Sequence, residues 1–145
     1  MIKRKDPILS GPACTQVSLH PERGLMYRLN TLENAMYFSS LKGISTKRTE
    51  NNIRKMAQDF NFSNELNTFF QNLSTGLKKK AAILVGAAMG TEVLLLDEPS
   101  NGLDIAAQED LASFILDLKI RMAILFLFHR MTLRCSLELL IIICS

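Results

Sequence analysis

The stretch that most constrains this chain is Leu94-Leu95-Leu96-Asp97-Glu98-Pro99-Ser100-Asn101-Gly102-Leu103-Asp104. Val93 to Leu96 is an unbroken aliphatic run bounded by a turn, which reads as a strand apolar on both faces inside a parallel sheet. It ends in two adjacent carboxylates and then turns through Pro99 and Gly102. In open α/β sheets, ligand sites lie at the carboxyl ends of strands. A carboxylate there can hold Mg²⁺, usually through water, while nucleotide phosphates supply other ligands. Its neighbour is then free to polarise a water for attack on a phosphoryl group. An Asp-Glu pair alone is more often just an acidic strand end, with Asp104 starting the next helix. The full string is more specific: six specified residues at about 1 in 15 each put a chance match on the order of 10⁻⁵ across the chain.

A second feature lies upstream, at Leu73-Ser74-Thr75-Gly76-Leu77-Lys78-Lys79-Lys80. Ser74 can cap a helix running from Thr75 to about Met89, with Ala81, Leu84, Val85, Ala88 and Met89 buried and Gly90 as its stop. A Ser and a Gly at a helix start can offer a hydroxyl, backbone N–H groups and the positive end of the dipole to a phosphate. The same residues also suit a plain capped amphipathic helix with a solvated lysine face.

Elsewhere the pattern is less specific. Residues 1–30 are broken by Pro7, Gly11, Pro12, Pro21 and Gly24, leaving loops and one short strand over Thr15–Leu19. Thr31 is placed to cap a helix that carries Leu32, Ala35, Met36, Phe38 and Leu41 and stops at Gly43. A polar helix fits Thr46 to Phe60, with Ile53, Met56, Ala57 and Phe60 on one face. Phe62 to Phe70 suits a short helix whose Phe62, Leu66, Phe69 and Phe70 fill a core. Asp104 can cap a helix from Ile105 to Leu118, and Met122 to Phe128 is the next buried strand. Helix, strand, helix, strand in that order implies parallel strands with right-handed crossovers in an α/β layer.

Composition excludes several classes. Lys plus Arg is 17 and Asp plus Glu is 14 over 145 residues, a net charge of +3. So weak a field argues against a nucleic-acid partner held by bulk charge. The 48% hydrophobic content is enough for a core and excludes a disordered chain. Cys14, Cys135 and Cys144 form no CxxC pair, and His20 and His129 are far apart, so no zinc site is expected. Free thiols in a reducing cytosol are the simplest reading. The longest apolar runs, Met122 to Phe128 and Leu139 to Cys144, fall well short of the ~20 residues of a membrane helix. No signal peptide is evident after the basic start.

The two features in this order resemble the nucleotide-binding domain of ABC transporter ATPases. Leu73 to Lys80 is similar to the signature motif, usually Leu-Ser-Gly-Gly-Gln and here Leu-Ser-Thr-Gly-Leu. Val93 to Asp97 resembles the Walker B strand, Glu98 the catalytic carboxylate, and Ser100 to Asp104 the D-loop. Met122 to His129 resembles the strand that ends in the switch histidine. The resemblance covers roughly residues 15–131. It implies an α/β fold, a partial P-loop NTPase domain with a helical signature subdomain and parallel strands. It divides residues 1–145 into a helical and signature subdomain over about 28–92, the Walker B, D-loop and switch-histidine region over about 93–131, and an atypical tail over 132–145.

The resemblance also implies a mechanism. Two such domains pack head to tail around ATP, and the signature of one contacts the γ-phosphate held by the phosphate loop of the other. Ser74 and Gly76 would take that role, with Asp104 in the D-loop. Asp97 would help hold Mg²⁺, Glu98 would act on the attacking water, and His129 would hydrogen-bond the γ-phosphate. The implied partners are a transmembrane transporter subunit and a second nucleotide-binding domain. The implied place is the cytoplasmic face of the membrane, peripheral through that partner.

The departures matter equally. A phosphate loop needs Gly-x-x-x-x-Gly-Lys-Ser/Thr, and none of the 7 glycines is followed by lysine. Pro21 stands where the family usually has a glutamine before Glu22-Arg23-Gly24, and Leu77 replaces the signature glutamine. After His129 the acidic helix of the family is replaced by a neutral to basic stretch. The expectation is an N-terminally truncated piece of an ATP-binding and ATP-hydrolysing subunit, lacking Walker A, with ATP and Mg²⁺ as cofactors, and incomplete and inactive alone. The alternative is a non-catalytic partner module, or a decayed fragment, offering its signature in trans.

Overall fold

The computed structural model describes residues 17–19, 24–122 and 124–129, with side chains over 24–122, 124 and 126. Three parallel strands form one sheet in the order β1 (Val17–Leu19), β2 (Val93–Asp97), β3 (Leu125–His129). Between the first two strands lie three helices, α1 (Thr31–Leu41), α2 (Thr46–Asp59) and α3 (Thr75–Ala88). Helix α4 (Ile105–Met122) connects β2 to β3. Parallel neighbours need such crossovers, because a tight turn can only reverse the chain.

β2 is the central strand. Leu94 pairs in register with Phe126 of β3 and Leu96 with Leu19 of β1. Leu94, Leu96 and Phe126 are buried, whereas Val93 and Leu95 are only half-buried. The aliphatic run is therefore covered on one face and partly open on the other, a departure from a strand buried on both sides. The covered face joins a core built from Ile83, Leu84 and Val85 of α3 and Leu111, Ile115 and Leu118 of α4. Each buried leucine contributes about 1.5–3 kcal/mol by leaving water.

The helices start where polar side chains can accept the first backbone N–H groups. Asn30, one residue before the expected Thr31, caps α1 with a reciprocal pair: its Oδ1 accepts from Glu33 N–H at 2.8 Å, and its own N–H donates to Glu33 Oε2 at 2.9 Å. Thr31 is instead the first helical residue and fully buried. Buried Asn34 ties residues 26–30 down: Met26 N–H donates to its Oδ1 at 2.8 Å, and its Nδ2 donates to the carbonyls of Met26, Leu29 and Asn30. Ser45 caps α2. The left-handed Gly43 and Gly90 end α1 and α3 at φ values of +68° and +77°, where a Cβ would be strained.

Three further expectations need correction. Residues 62–70 form turns rather than a helix, followed by a 3-10 turn at Phe70–Asn72. Phe62, Leu66 and Phe70 fill the core there, but Phe69 is 50% exposed, because its backbone bridges Asn30 and turns its ring outward. Leu41, at the end of α1, is likewise exposed. Helix α4 runs to Met122, so β3 starts at Leu125: Leu118 packs inward one turn before the end, and Lys119 and Arg121 suit the negative end of the dipole. Thr15, Pro21, Glu22, Arg23, the cysteines and residues 132–145 lie outside the described residues.

Candidate functional site

The site grows from the exit of β2. Asp97 closes the strand, half-buried and paired across the ladder with His129 at the end of β3. The backbone then reverses at Glu98, whose φ is +45°. A non-glycine residue in that left-handed region costs about 1–3 kcal/mol and persists where its surroundings over-determine it. Here the surroundings are specific. Asn101 N–H donates to the Glu98 carbonyl at 3.1 Å, and Asn101 Nδ2 donates to Glu98 Oε2 at 3.3 Å. Gly102 supplies a second left-handed position at φ +72°, and Leu103 N–H donates to the Ser100 carbonyl at 3.3 Å. Asp104 Oδ1 then accepts from Ala107 N–H at 2.8 Å and starts α4, as its sequence position suggests.

The second part of the site is the start of α3. Ser74 caps the helix, its Oγ accepting from Leu77 N–H at 3.3 Å. Ser74 and Thr75 are exposed and Gly76 is half-buried, so the positive end of a 14-residue helix faces outward. The helix start and the turn after β2 meet across one cleft of about 390 Å³, lined by Ser74, Gly76, Lys80, Leu103, Asp104 and Asp110 among others. A Cβ placed on Gly76 would touch only Leu103 Cδ2, at 3.9 Å.

Two lysines join these parts. Lys80 Nζ pairs with Asp110 Oδ2 of α4 at 2.6 Å and lies 5.4 Å from the Phe114 ring centre. Lys79 is 2% exposed and its Nζ donates to the carbonyl of Asn101. A solvated lysine face therefore holds for neither. Lys79 and Asp110 are the contributors that sequence reasoning missed, and Asn101, inside the expected D-loop, had been given no role of its own. Their signal, a Lys among Lys and an Asp five to six residues into a helix, has no distinctive spacing. Ser100, at the start of the expected D-loop, is 2% exposed and its Oγ has no partner in the structure, a hydroxyl that burial makes costly to leave unmatched.

Of the expected site residues, the structure gathers Ser74, Gly76 and Asp104 on the cleft, and places Asp97 and Glu98 at the strand exit that feeds it. His129 stands beside Asp97 by backbone register. The donor set suits magnesium and phosphate. Among the described residues no group of three or more His, Cys, Asp or Glu could hold a metal by itself. Magnesium does not need one: it keeps waters and takes one or two carboxylates plus phosphate oxygens. The outward helix start supplies the anion side.

Comparison with known proteins identifies the family. The sequence profile of the ABC transporter family matches residues 13–101. The chain is 30% identical over 112 residues to ATP-binding cassette sub-family A member 2 of Homo sapiens, covering 77% of this chain and 5% of that one. It is 32% identical over 98 residues to the ABC transporter ATP-binding protein NatA of Bacillus subtilis, covering 68% of this chain and 40% of NatA. The chain thus spans less than half the length of these relatives. Among solved structures, cbiO1 from Clostridium perfringens, part of the ABC transporter complex cbiONQ, superposes with a TM-score of 0.68 at 18% identity, covering 81% of this chain and 46% of that one. A nucleotide-free ATP-binding cassette from an ABC transporter gives a TM-score of 0.64 at 18% identity, covering 79% and 51%. At that identity the likeness establishes the fold, a partial P-loop NTPase domain. The chain belongs to the ABC transporter family, and the matched stretch is part of that family's ATP-binding domain.

Proposed function

We propose that this chain contributes the signature and catalytic-carboxylate elements of an ATP-hydrolysing site that powers an ABC transporter. The observation that carries the reading is the joining of two sequence-distant elements on one cleft. The start of α3 is tied to the turn after β2 by Lys79 on Asn101, and to α4 beyond that turn by Lys80 on Asp110. In this reading Ser74 and Gly76 bind the γ-phosphate of nucleotide held by a second ATP-binding domain, packed head to tail. Asp97 orients the waters around a metal ion, Glu98 accepts a proton from the attacking water, and His129 steadies the phosphate edge. Asp104 shapes the D-loop that borders the cleft. ATP with Mg²⁺, when bound, supplies the reacting phosphoryl group and the charge that neutralises it.

The division of labour follows. Residues of about 28–92 act as the helical and signature subdomain, residues of about 93–131 as the hydrolytic region, and 132–145 as a tail that belongs to neither. No helix among the described residues is long and apolar enough to cross a membrane. The family's transporters are what set the proposed place of the chain, at the cytoplasmic face and held there by a transmembrane subunit. No nucleic-acid partner is proposed.

A second reading has its own support. None of the 7 glycines is followed by lysine, so these residues carry no phosphate loop. By themselves they would then serve as a non-catalytic module, offering Ser74 and Gly76 to a complete subunit. The test is ATP hydrolysis by the purified chain, alone and mixed with a complete ABC ATP-binding subunit. The expected result is none alone and ATP-dependent association in the mixture. Robust hydrolysis by the chain alone, removed by Glu98→Gln, would overturn the claim that the phosphate cradle comes from elsewhere.

A further inference from the structure

The geometry points to Lys79 as a positioning residue that fixes the Glu98 carboxylate relative to the start of α3, acting through Asn101. It rests on the functional reading above only for what Glu98 does.

Lys79 is 2% exposed, and an ammonium that deep must have its protons accepted. One is accepted by the Asn101 carbonyl, on the turn that follows β2. The same Asn101 reaches Glu98 twice, with its backbone N–H on the Glu98 carbonyl and its side-chain Nδ2 on Oε2. A continuous path therefore runs from Lys79, five residues after the Ser74 cap, to the carboxylate of Glu98. Asn101 itself is exposed and Gly102 beside it is left-handed; past them Leu103 is held by its N–H on the Ser100 carbonyl and by Gln108 Nε2 on its own carbonyl, while Lys79 ties the Asn101 carbonyl to α3. The strained φ of +45° at Glu98 is held from this side. A movement of the start of α3, such as closure on a phosphate, would then be felt as a reorientation of Glu98. Lys80 plays a different part: its pair with Asp110 anchors α3 to α4 and bypasses the turn.

The test uses the whole chain and needs no nucleotide. Lys79→Met removes the donor while keeping length and apolar stem. Backbone hydrogen exchange at Asn101 and Leu103 should speed up about tenfold or more, while exchange at Ile83 to Ala87 changes less than about twofold. The Glu98 side-chain carboxyl resonance should move in Lys79→Met and move the same way in Asn101→Ala, an exposed change that spares the fold. Lys79→Arg, which keeps a donor, should restore both readings. Unchanged exchange at Asn101 and Leu103 in folded Lys79→Met overturns the proposal. So does a uniform rise across α3, which marks a purely structural lysine. If Lys79→Met does not fold, Lys79→Leu, which also lacks a donor, carries the same comparison. Because no hydrolysis is measured, these outcomes stand or fall separately from the functional reading.

Discussion

Helices α2 and α3 are the same length, 14 residues each, yet they are held in opposite ways. In α2 only Thr49, Ile53, Met56 and Ala57 are buried, a single stripe at helical spacing. In α3, Lys79 and every residue from Ala81 to Ala88 are buried, because α1, α2, α4 and the strands β1 and β2 all pack against it. A helix gripped on one stripe is a surface layer. One gripped all round is a post, and its free end is held still. Ser74 and Gly76, the residues proposed to meet the phosphate, sit on that free end, so the contrast explains why a short exposed segment can keep a defined position.

The comparison breaks first in the core. Leu84 is fully buried in the middle of α3, and Leu84→Ala should cost about 2–5 kcal/mol in chemical denaturation through lost transfer energy and a cavity. Exposed Lys55→Ala on α2 should stay within about 0.5 kcal/mol. Equal losses at the two sites would mean that α3 is no more deeply held than α2.

The helix caps sharpen it further. Ser45 and Ser74 each accept the third helical N–H at 3.3 Å. Alanine at either should cost about 1 kcal/mol by thermal unfolding. Only Ser74→Ala should also weaken binding to a complete ABC ATP-binding subunit in ATP. Gly76→Asp separates stability from binding in the opposite sense. A carboxylate in the first turn should add about 0.3–1 kcal/mol through the helix dipole, and the site has room for it. Yet it places a negative charge where a phosphate would sit, so association should be lost while the melting temperature holds or rises. The smallest effect belongs to Arg54→Ala. Its pair with Glu50 at 2.9 Å is exposed, and its removal should cost no more than about 0.5 kcal/mol, vanishing at high salt.

How far the chain could be read without coordinates follows from the same contrast. The strand at Val93 to Asp97 and the caps at Ser74 and Asp104 are local: aliphatic runs, turn glycines and capping oxygens act within a few residues of themselves. They were legible, and so was α2, whose stripe is complete in its own sequence. Residues 62–70 were not, because Phe62, Leu66 and Phe70 have helical spacing but are drawn into the core by separate turns. The length of α4 escaped for a related reason: Met122 reads as the first residue of an apolar strand, yet Leu118 anchors another helical turn beyond it. Lys79 was the hardest. Three adjacent lysines look alike in sequence, and only the turn after β2, folded across α3, singles one out for burial.

That turn and that helix start are the centre of the account, and their joint purpose can be measured directly. The measurement is sedimentation of the whole chain with a complete ABC ATP-binding domain made unable to hydrolyse ATP, with and without ATP and Mg²⁺. The account predicts a one-to-one complex that forms only with nucleotide and is lost in Gly76→Asp. A complex indifferent to nucleotide, or one that Gly76→Asp leaves intact, would contradict it.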